Sequence, residues 1–136
     1  MSFNDLPDDW PRRSLQAPVL RADVVDLCLK ESDRARRSLL ILLCDEGHHP
    51  LPPPFVINDL PIVSTDRYRA KVFRLLDDVP VPGVVMALGL PRAAATDQHV
   101  RSWARSARLM CERLGITLVG FHLATLGGVS DAEEAA

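Results

Sequence analysis

The sequence of 136 residues lacks a long apolar run, and only 5% of its residues are aromatic and only three are cysteine. A membrane-spanning helix needs about 20 consecutive apolar residues, so the sequence predicts no transmembrane segment. Cys28, Cys44 and Cys111 lie far apart without a Cys-x-x-Cys pair. This excludes a zinc knuckle or a disulfide framework and predicts reduced thiols. The first ten residues carry acids but no apolar signal-peptide core, so we expect a cytoplasmic protein.

The composition is that of an ordinary globular domain, with 47% hydrophobic and 25% charged residues. The formal net charge of −2 disfavours a nucleic-acid-binding protein, which is usually strongly basic. The sequence contains no glycine-rich phosphate loop, dinucleotide-binding fingerprint or nucleophile motif. These properties predict one soluble domain, and we expect no cofactor because no cofactor-binding motif is present.

Apolar periodicity and turn residues predict a single-domain α/β fold in which helices flank a mixed sheet. Short apolar runs bounded by Pro, Gly, Asn or Asp predict strands, and apolar residues every three or four positions predict helices. The expected order is α-β-β-α-β-α-β. Strands are expected at residues 38–44, 55–57, 84–90 and 116–124. Helices are expected at residues 18–37, from the Ser64-Thr65-Asp66 cluster to before Pro80, and at 96–114. The cluster Ser64-Thr65-Asp66 is expected to cap the second of these helices at its N-terminus, and Gly115 to end the third.

The same pattern divides the chain into three parts. Residues 1–17 are predicted to form an N-terminal arm, with Trp10 as its anchor on the body. Residues 18–127 form the α/β domain. Residues 128–136 are acidic and poor in apolar side chains, which predicts a disordered tail.

The Pro91 loop after the third strand and the Leu114-Gly115-Ile116 turn stand in the same order as in a known family. Over residues 38–126 the sequence resembles the JAB/MPN (JAMM) metalloproteases, and within them the RadC-like branch. In that family a His-x-His-Pro motif ends the strand and, with an aspartate, holds zinc. An upstream glutamate then activates the metal-bound water.

The sequence departs from this pattern at the metal ligands. Leu88 and Leu90 precede Pro91 where the family has its histidines, and hydrocarbon cannot coordinate zinc. The second strand, Phe55–Ile57, offers no acid to act as the general base. The resemblance therefore implies a metal-free, catalytically inactive RadC/JAB-like domain, which we expect to bind a protein partner or a second copy of itself.

Two other functions remain open at this point. The first is a small hydrolase whose polar site is rebuilt from Asp97, His99 and His122. The plainer interpretation makes His99 an exposed residue of the first helical turn. It makes His122 a structural histidine that points away from the core toward solvent or a partner, since Phe121 would face inward.

The second is a nucleic-acid-associated accessory domain, because Arg101, Arg105 and Arg108 form a basic stripe on the last predicted helix. A solvated helix face is the plainer interpretation of that stripe. His48 and His49 lie beside acidic residues, but we expect a hairpin tip there rather than a metal site. The prolines from Pro50 to Pro54 are expected to stiffen a loop rather than to serve as a polyproline ligand.

Overall fold

A computed structural model describes residues 6–92 and 97–132 of the protein. The predicted α/β fold is confirmed: one five-stranded mixed sheet is flanked by helices. In chain order the elements are α1 (Pro18–Cys28), α2 (Glu31–Ala35), β1 (Ser38–Cys44), β2 (Phe55–Ile57), α3 (Asp66–Phe73), β3 (Gly83–Gly89), α4 (Asp97–Leu114), β4 (Thr117–Thr125) and β5 (Gly128–Asp131). Short 3-10 turns occupy Trp10–Arg12 and Arg74–Leu76. No helix in the described ranges has the length and apolar character needed to cross a bilayer.

The strands lie in the order β2-β1-β3-β4-β5. β1 is antiparallel to both of its neighbours, and β5 is antiparallel to β4. β3 and β4 are parallel, which requires a crossover connection, and α4 supplies it.

The continuous apolar sequence of β1 follows from burial on both faces of the sheet. Leu39 and Ile41 face α3 and α4, whereas Leu40 and Leu42 face α1. Side chains alternate between the faces of a strand, so a strand covered on both sides needs apolar residues at every position.

Trp103 of α4 is fully buried in the core between the sheet and the α3/α4 layer. Tyr68 and Phe73 of α3 pack edge-on against its ring, with centroid distances of 6.3 and 5.7 Å. Edge-on packing places the positive ring edge against a negative ring face, and it fixes α3 on α4.

A second hydrophobic core lies on the opposite face of the sheet from Trp103, beneath α1 and the N-terminal segment. Trp10 packs against this core as the anchor that the sequence predicts. Leu15 is also fully buried, and its N–H donates to the carbonyl of His48 at 2.8 Å. The described part of residues 1–17 is therefore part of the packed body rather than a separate arm.

The helix boundaries show which local signals determine structure. The Thr65 hydroxyl accepts a hydrogen bond from the Tyr68 N–H at 3.1 Å, and Gly115 adopts a left-handed φ of 70°, so both predicted caps are confirmed. The single helix predicted over residues 18–37 is instead two helices. Leu29 has extended backbone angles between them, and its side chain is fully buried in the second core.

The prediction that residues 128–136 form a disordered tail is wrong for residues 128–132. Gly128–Asp131 is the edge strand β5; the chain reverses at Leu126 and Gly127, and Gly128 begins the strand with a φ of 133°. Ala132 is buried, and its N–H donates to the carbonyl of Phe121 at 2.9 Å. An edge strand is stabilised by backbone hydrogen bonds to its neighbour, so it needs few apolar side chains. Residues 133–136 lie outside the described part of the structure.

Candidate functional site

Leu88 and Leu90 lie in the hydrophobic core between the sheet and α4. Their side chains are 0% and 1% exposed, in one cluster with Val100 and Trp103. Leu88 is flanked by Leu39 on β1 and Leu123 on β4. Zinc requires nitrogen, oxygen or sulfur donors about 2 Å away, and the side chains at these two positions offer none. The residues present therefore do not fit the zinc ion that the resemblance implies. Pro91, which is half-buried, ends the apolar segment and has no donor atom in its side chain.

His99 is partly buried on α4 rather than exposed as predicted. Its ring lies edge-on to Trp103 at a centroid distance of 6.4 Å. Burial lowers the pKa of His99, and the positive charges of Arg69 and Arg37 lower it further. Among the described residues, its Nε2 atom has no hydrogen-bond partner. Asp97 begins α4, and its side chain lies outside the described part of the structure.

His122 is buried against α1, with 2% of its surface exposed, so the prediction that it faces solvent or a partner is wrong. The second face of the sheet is covered by α1 as well, which the sequence pattern did not reveal. Arg21 Nε donates to His122 Nε2 at 2.8 Å. Burial lowers the pKa of His122 to about 4, and the charge of Arg21 contributes in the same direction. At neutral pH His122 is an uncharged acceptor, which is a structural role.

Arg21 is the centre of a buried polar cluster that sequence reasoning missed. Besides His122, it donates to the carbonyl of Leu15 at 3.1 Å and lies 3.9 Å from a carboxylate oxygen of Asp131. Gly120 makes room for it, because a Cβ there would lie 2.3 Å from Arg21 Nε. A glycine inside a strand is a sign of close approach by another group, and Gly120 carried that signal. The cluster links α1, β4 and β5.

The three residues of the predicted hydrolase site are not brought together. His99 lies over the face of the sheet covered by α3 and α4, whereas His122 lies beneath α1 on the opposite face. General acid–base catalysis needs its groups within hydrogen-bond reach of one substrate. The sheet separates these two histidines, so the structure corrects the prediction that they converge in one cleft.

His48 and His49 belong to the turn that follows β1. Asp45 accepts hydrogen bonds from the backbone N–H groups of His49 and Gly47, at 2.8 and 2.9 Å, and pairs with His49 Nδ1 at 3.1 Å. These contacts, led by the His49 backbone N–H, lower the pKa of Asp45. These hydrogen bonds stabilise the turn. Within residues 6–92 and 97–132, no three His, Cys, Asp or Glu side chains are grouped so that they could hold a metal ion.

A groove of about 310 Å³ lies between α3 and α4. Of the predicted arginine stripe, Arg101, Arg105 and Arg108 are all exposed, but only Arg105 lines the groove. The lining combines charged, polar and apolar side chains: Asp66, Ala70, Arg105, Ser106, Leu109, Met110 and Arg113. Leu109 is 59% exposed. Sequence reasoning placed the arginines on one helix but did not find this groove.

Buried Arg69 of α3 holds the two walls of the groove together. It is 3% exposed and donates to Ser106 Oγ on α4 at 2.9 Å. It also donates to the Ser64 carbonyl at 2.7 Å and forms an ion pair with Asp66. Because these partners accept the hydrogen bonds of its guanidinium group and balance its charge, Arg69 has a structural role.

The two helical layers differ in charge. Helices α3 and α4 together contain seven cationic and three acidic residues, whereas α1 and α2 contain two cationic and four acidic residues. The whole chain has 16 cationic and 18 acidic residues, so this excess of positive charge is a property of one face. Such a face attracts acidic partners.

Comparisons with protein-family models, with curated proteins and with solved structures found no match to this chain. The RadC-like resemblance therefore stays a prediction. The roles given above to Arg21, His122, Arg69 and the groove residues rest on their own geometry.

Proposed function

We propose that this chain is a catalytically inactive, metal-free RadC/JAB-like domain that works by binding another protein. The observation that carries the proposal is the burial of Leu88 and Leu90 in the apolar core. The family chemistry that the sequence resembles requires zinc ligands at these positions. A domain that keeps a packed fold but has hydrocarbon there offers surfaces for binding instead of a reaction centre.

Exposed apolar side chains support binding. Phe55 on the edge strand β2, and Ile62 and Val63 in the loop that follows it, are large hydrophobic residues at the surface, and Val63 is 81% exposed. Leu109 is exposed beside the α3/α4 groove. Large exposed apolar side chains of this kind contribute to interaction surfaces when a partner covers them. A second copy of the chain is the alternative partner, which sedimentation of the purified protein would reveal as a concentration-dependent dimer.

A cytoplasmic location is part of the proposal. Within the described residues neither Cys28 nor Cys44 forms a disulfide bond. Burial raises the pKa of both thiols to about 11, so they stay protonated and unreactive at neutral pH. Free thiols rather than disulfides suit a reducing compartment.

Nucleic-acid binding is the second candidate function, and the positive charge of the α3/α4 layer supports it. The aromatic residues of that layer disfavour it. Phe73 and Trp103 are fully buried, and partly buried Tyr68 packs edge-on against Trp103, so none presents a free ring face for stacking on bases comparable to an exposed platform. Binding of a labelled oligonucleotide that weakens steeply with added salt would support this function, because phosphate contacts release counterions.

Metal analysis of the purified protein tests the main proposal. We expect less than about 0.1 zinc per chain after dialysis against buffered zinc, since structural and catalytic sites bind near stoichiometrically. We also expect no cleavage of isopeptide-linked or linear peptide substrates. One tightly bound zinc per chain, together with peptidase activity that a chelator abolishes, would contradict the proposal.

A further inference from the structure

We propose that the groove between α3 and α4 docks an acidic, amphipathic helical segment of a partner protein. This inference rests on the proposed protein-binding function and names where the partner binds and what chemistry it presents.

Three groove residues form a row along α4. Arg105, Leu109 and Arg113 are four residues apart, so they lie on one side of the helix at steps of about 6 Å. The row therefore reads cation, apolar side chain, cation. Leu109 is 59% exposed, and the groove of about 310 Å³ opens beside it.

The positive charge of the groove comes from Arg105 and Arg113. The acid in the groove, Asp66, already forms an ion pair with buried Arg69. Within the described ranges neither Arg105 nor Arg113 forms an ion pair with a carboxylate, and Arg113 donates to the sulfur of Met110 at 3.1 Å. Two surface cations beside an apolar groove match a partner that carries carboxylates.

The apolar lining favours protein over nucleic acid. Ala70, Leu109 and Met110 give the groove hydrocarbon walls, and no aromatic side chain of residues 6–92 or 97–132 lines it. Phosphates would use the arginines but not Leu109 or Met110. An amphipathic helix would use all of them, since methionine adapts to different apolar partners.

The row on α4 specifies the complementary pattern. A partner helix would place one apolar side chain over Leu109 and an acid about one turn to either side, opposite Arg105 and Arg113. The expected motif is acid-x-x-x-apolar-x-x-x-acid, which puts all three side chains on one helical face.

A displayed library of random 16-residue peptides, selected on the full-length protein, is the probe. We expect the enriched peptides to carry the acid-apolar-acid motif at four-residue spacing. A synthetic peptide from the enriched pool then gives a dissociation constant by fluorescence anisotropy. We expect its affinity to fall as salt is added, because exposed charge pairs are screened.

Charge reversal in the groove tests the location. The double variant Arg105→Glu/Arg113→Glu should weaken peptide binding by about tenfold or more. Arg67→Glu/Arg74→Glu is the matched control: it changes the net charge equally, and neither Arg67 nor Arg74 lines the groove. This control should change binding by less than about twofold. Leu109→Gln, which keeps the helix propensity, should also weaken binding.

The proposal would be overturned by failure to enrich any peptide, by enriched peptides that lack acids, or by equal losses in the groove and control variants. The proposal would also be overturned if the protein bound an oligonucleotide instead of peptides and lost that binding in Arg105→Glu/Arg113→Glu. That result would assign the groove to nucleic acid. If peptides bind equally well to the wild type and to every groove variant, the proposed protein-binding function stands and the groove as its location is refuted. Stoichiometric catalytic zinc would instead refute the proposed function. Thermal melts within a few degrees of the wild type confirm that each variant is folded.

Discussion

Arg21 Nε lies 2.8 Å from His122 Nε2, and both side chains are buried between α1 and the sheet. A buried arginine keeps its charge, so it needs acceptors, and the neutral imidazole is one of them. The Leu15 carbonyl supplies another at 3.1 Å, and the Asp131 carboxylate, 3.9 Å away, supplies a countercharge. This contact joins residues 101 positions apart in the sequence and fixes α1 on β4.

We predict that Gly120→Ala destabilises the protein by about 1–3 kcal/mol, as overpacking of a core does. The added Cβ would lie 2.3 Å from Arg21 Nε, so Arg21 would have to leave its bond to His122. Chemical denaturation measures the free energy of unfolding. Gly127→Ala is the control, since its Cβ would meet only the Thr125 hydroxyl at 3.6 Å, and we expect a change below about 0.5 kcal/mol. Equal effects at the two glycines would contradict the close contact with Arg21.

We predict that the free energy of unfolding falls as the pH is lowered from about 6.5 to about 4. The pKa of His122 is about 4 in the folded protein, against about 6.5 in an unfolded chain. In that window the unfolded state binds more protons, so acid favours unfolding, and the stabilisation is complete above pH 6.5. The loss attributable to His122 should approach about 3 kcal/mol at most.

His122→Gln separates this contribution from others, because glutamine keeps an acceptor but does not titrate. His99, whose pKa is also lowered by burial, contributes in the same direction in both proteins. We expect the unfolding free energy of His122→Gln to depend less steeply on pH between 4 and 6.5. Parallel pH profiles for the variant and the wild type would show that His122 is not a buried neutral group.

We predict that Leu88→His/Leu90→His destabilises the fold by about 3 kcal/mol or more and that zinc does not restore it. Each substitution puts a polar ring into a packed apolar core without hydrogen-bond partners. Leu88→Ala is the comparison, with an expected loss of about 2–5 kcal/mol from the cavity alone. Denaturation with and without zinc measures both effects. Stoichiometric zinc binding that stabilises the double variant would show that a coordination site persists there.

We predict that Ser106→Ala costs about 1–2 kcal/mol, because it leaves the Nε–H of buried Arg69 without its acceptor. Ser102→Ala is the control on the same helix. The Ser102 hydroxyl donates to the carbonyl of Gln98 at 2.9 Å, so its removal leaves no buried donor unpaired. Thermal and chemical denaturation compare the two variants. A Ser102→Ala loss equal to that of Ser106→Ala would refute the role given to Arg69 in joining α3 to α4.

The sequence predicted the elements from β1 to β4, but it did not predict the division of the first helix into α1 and α2, strand β5, the face that His122 occupies or the groove. Leu39 to Leu43 predicted a strand buried on both faces, but the sequence did not show that α1 covers the second face, and His122 was expected to face solvent. The pattern that places Phe121 inward says nothing about what covers the other side. Arg69 lies among charged residues on a predicted helix, so its burial was hidden as well.

The amino-acid sequence by itself determined the order of the elements from β1 to β4, a helix cap within Ser64–Asp66, the cap at Gly115, and the hydrocarbon at Leu88 and Leu90. These depend on side-chain period, backbone preference and residue chemistry, which act over a few neighbouring positions. Only the tertiary structure decided the strand order, the pairing of β5 with β4, the contact between Arg21 and His122, and the groove between α3 and α4. Each of these joins residues distant in the chain, and local patterns do not record which distant backbone or side chain completes a hydrogen bond.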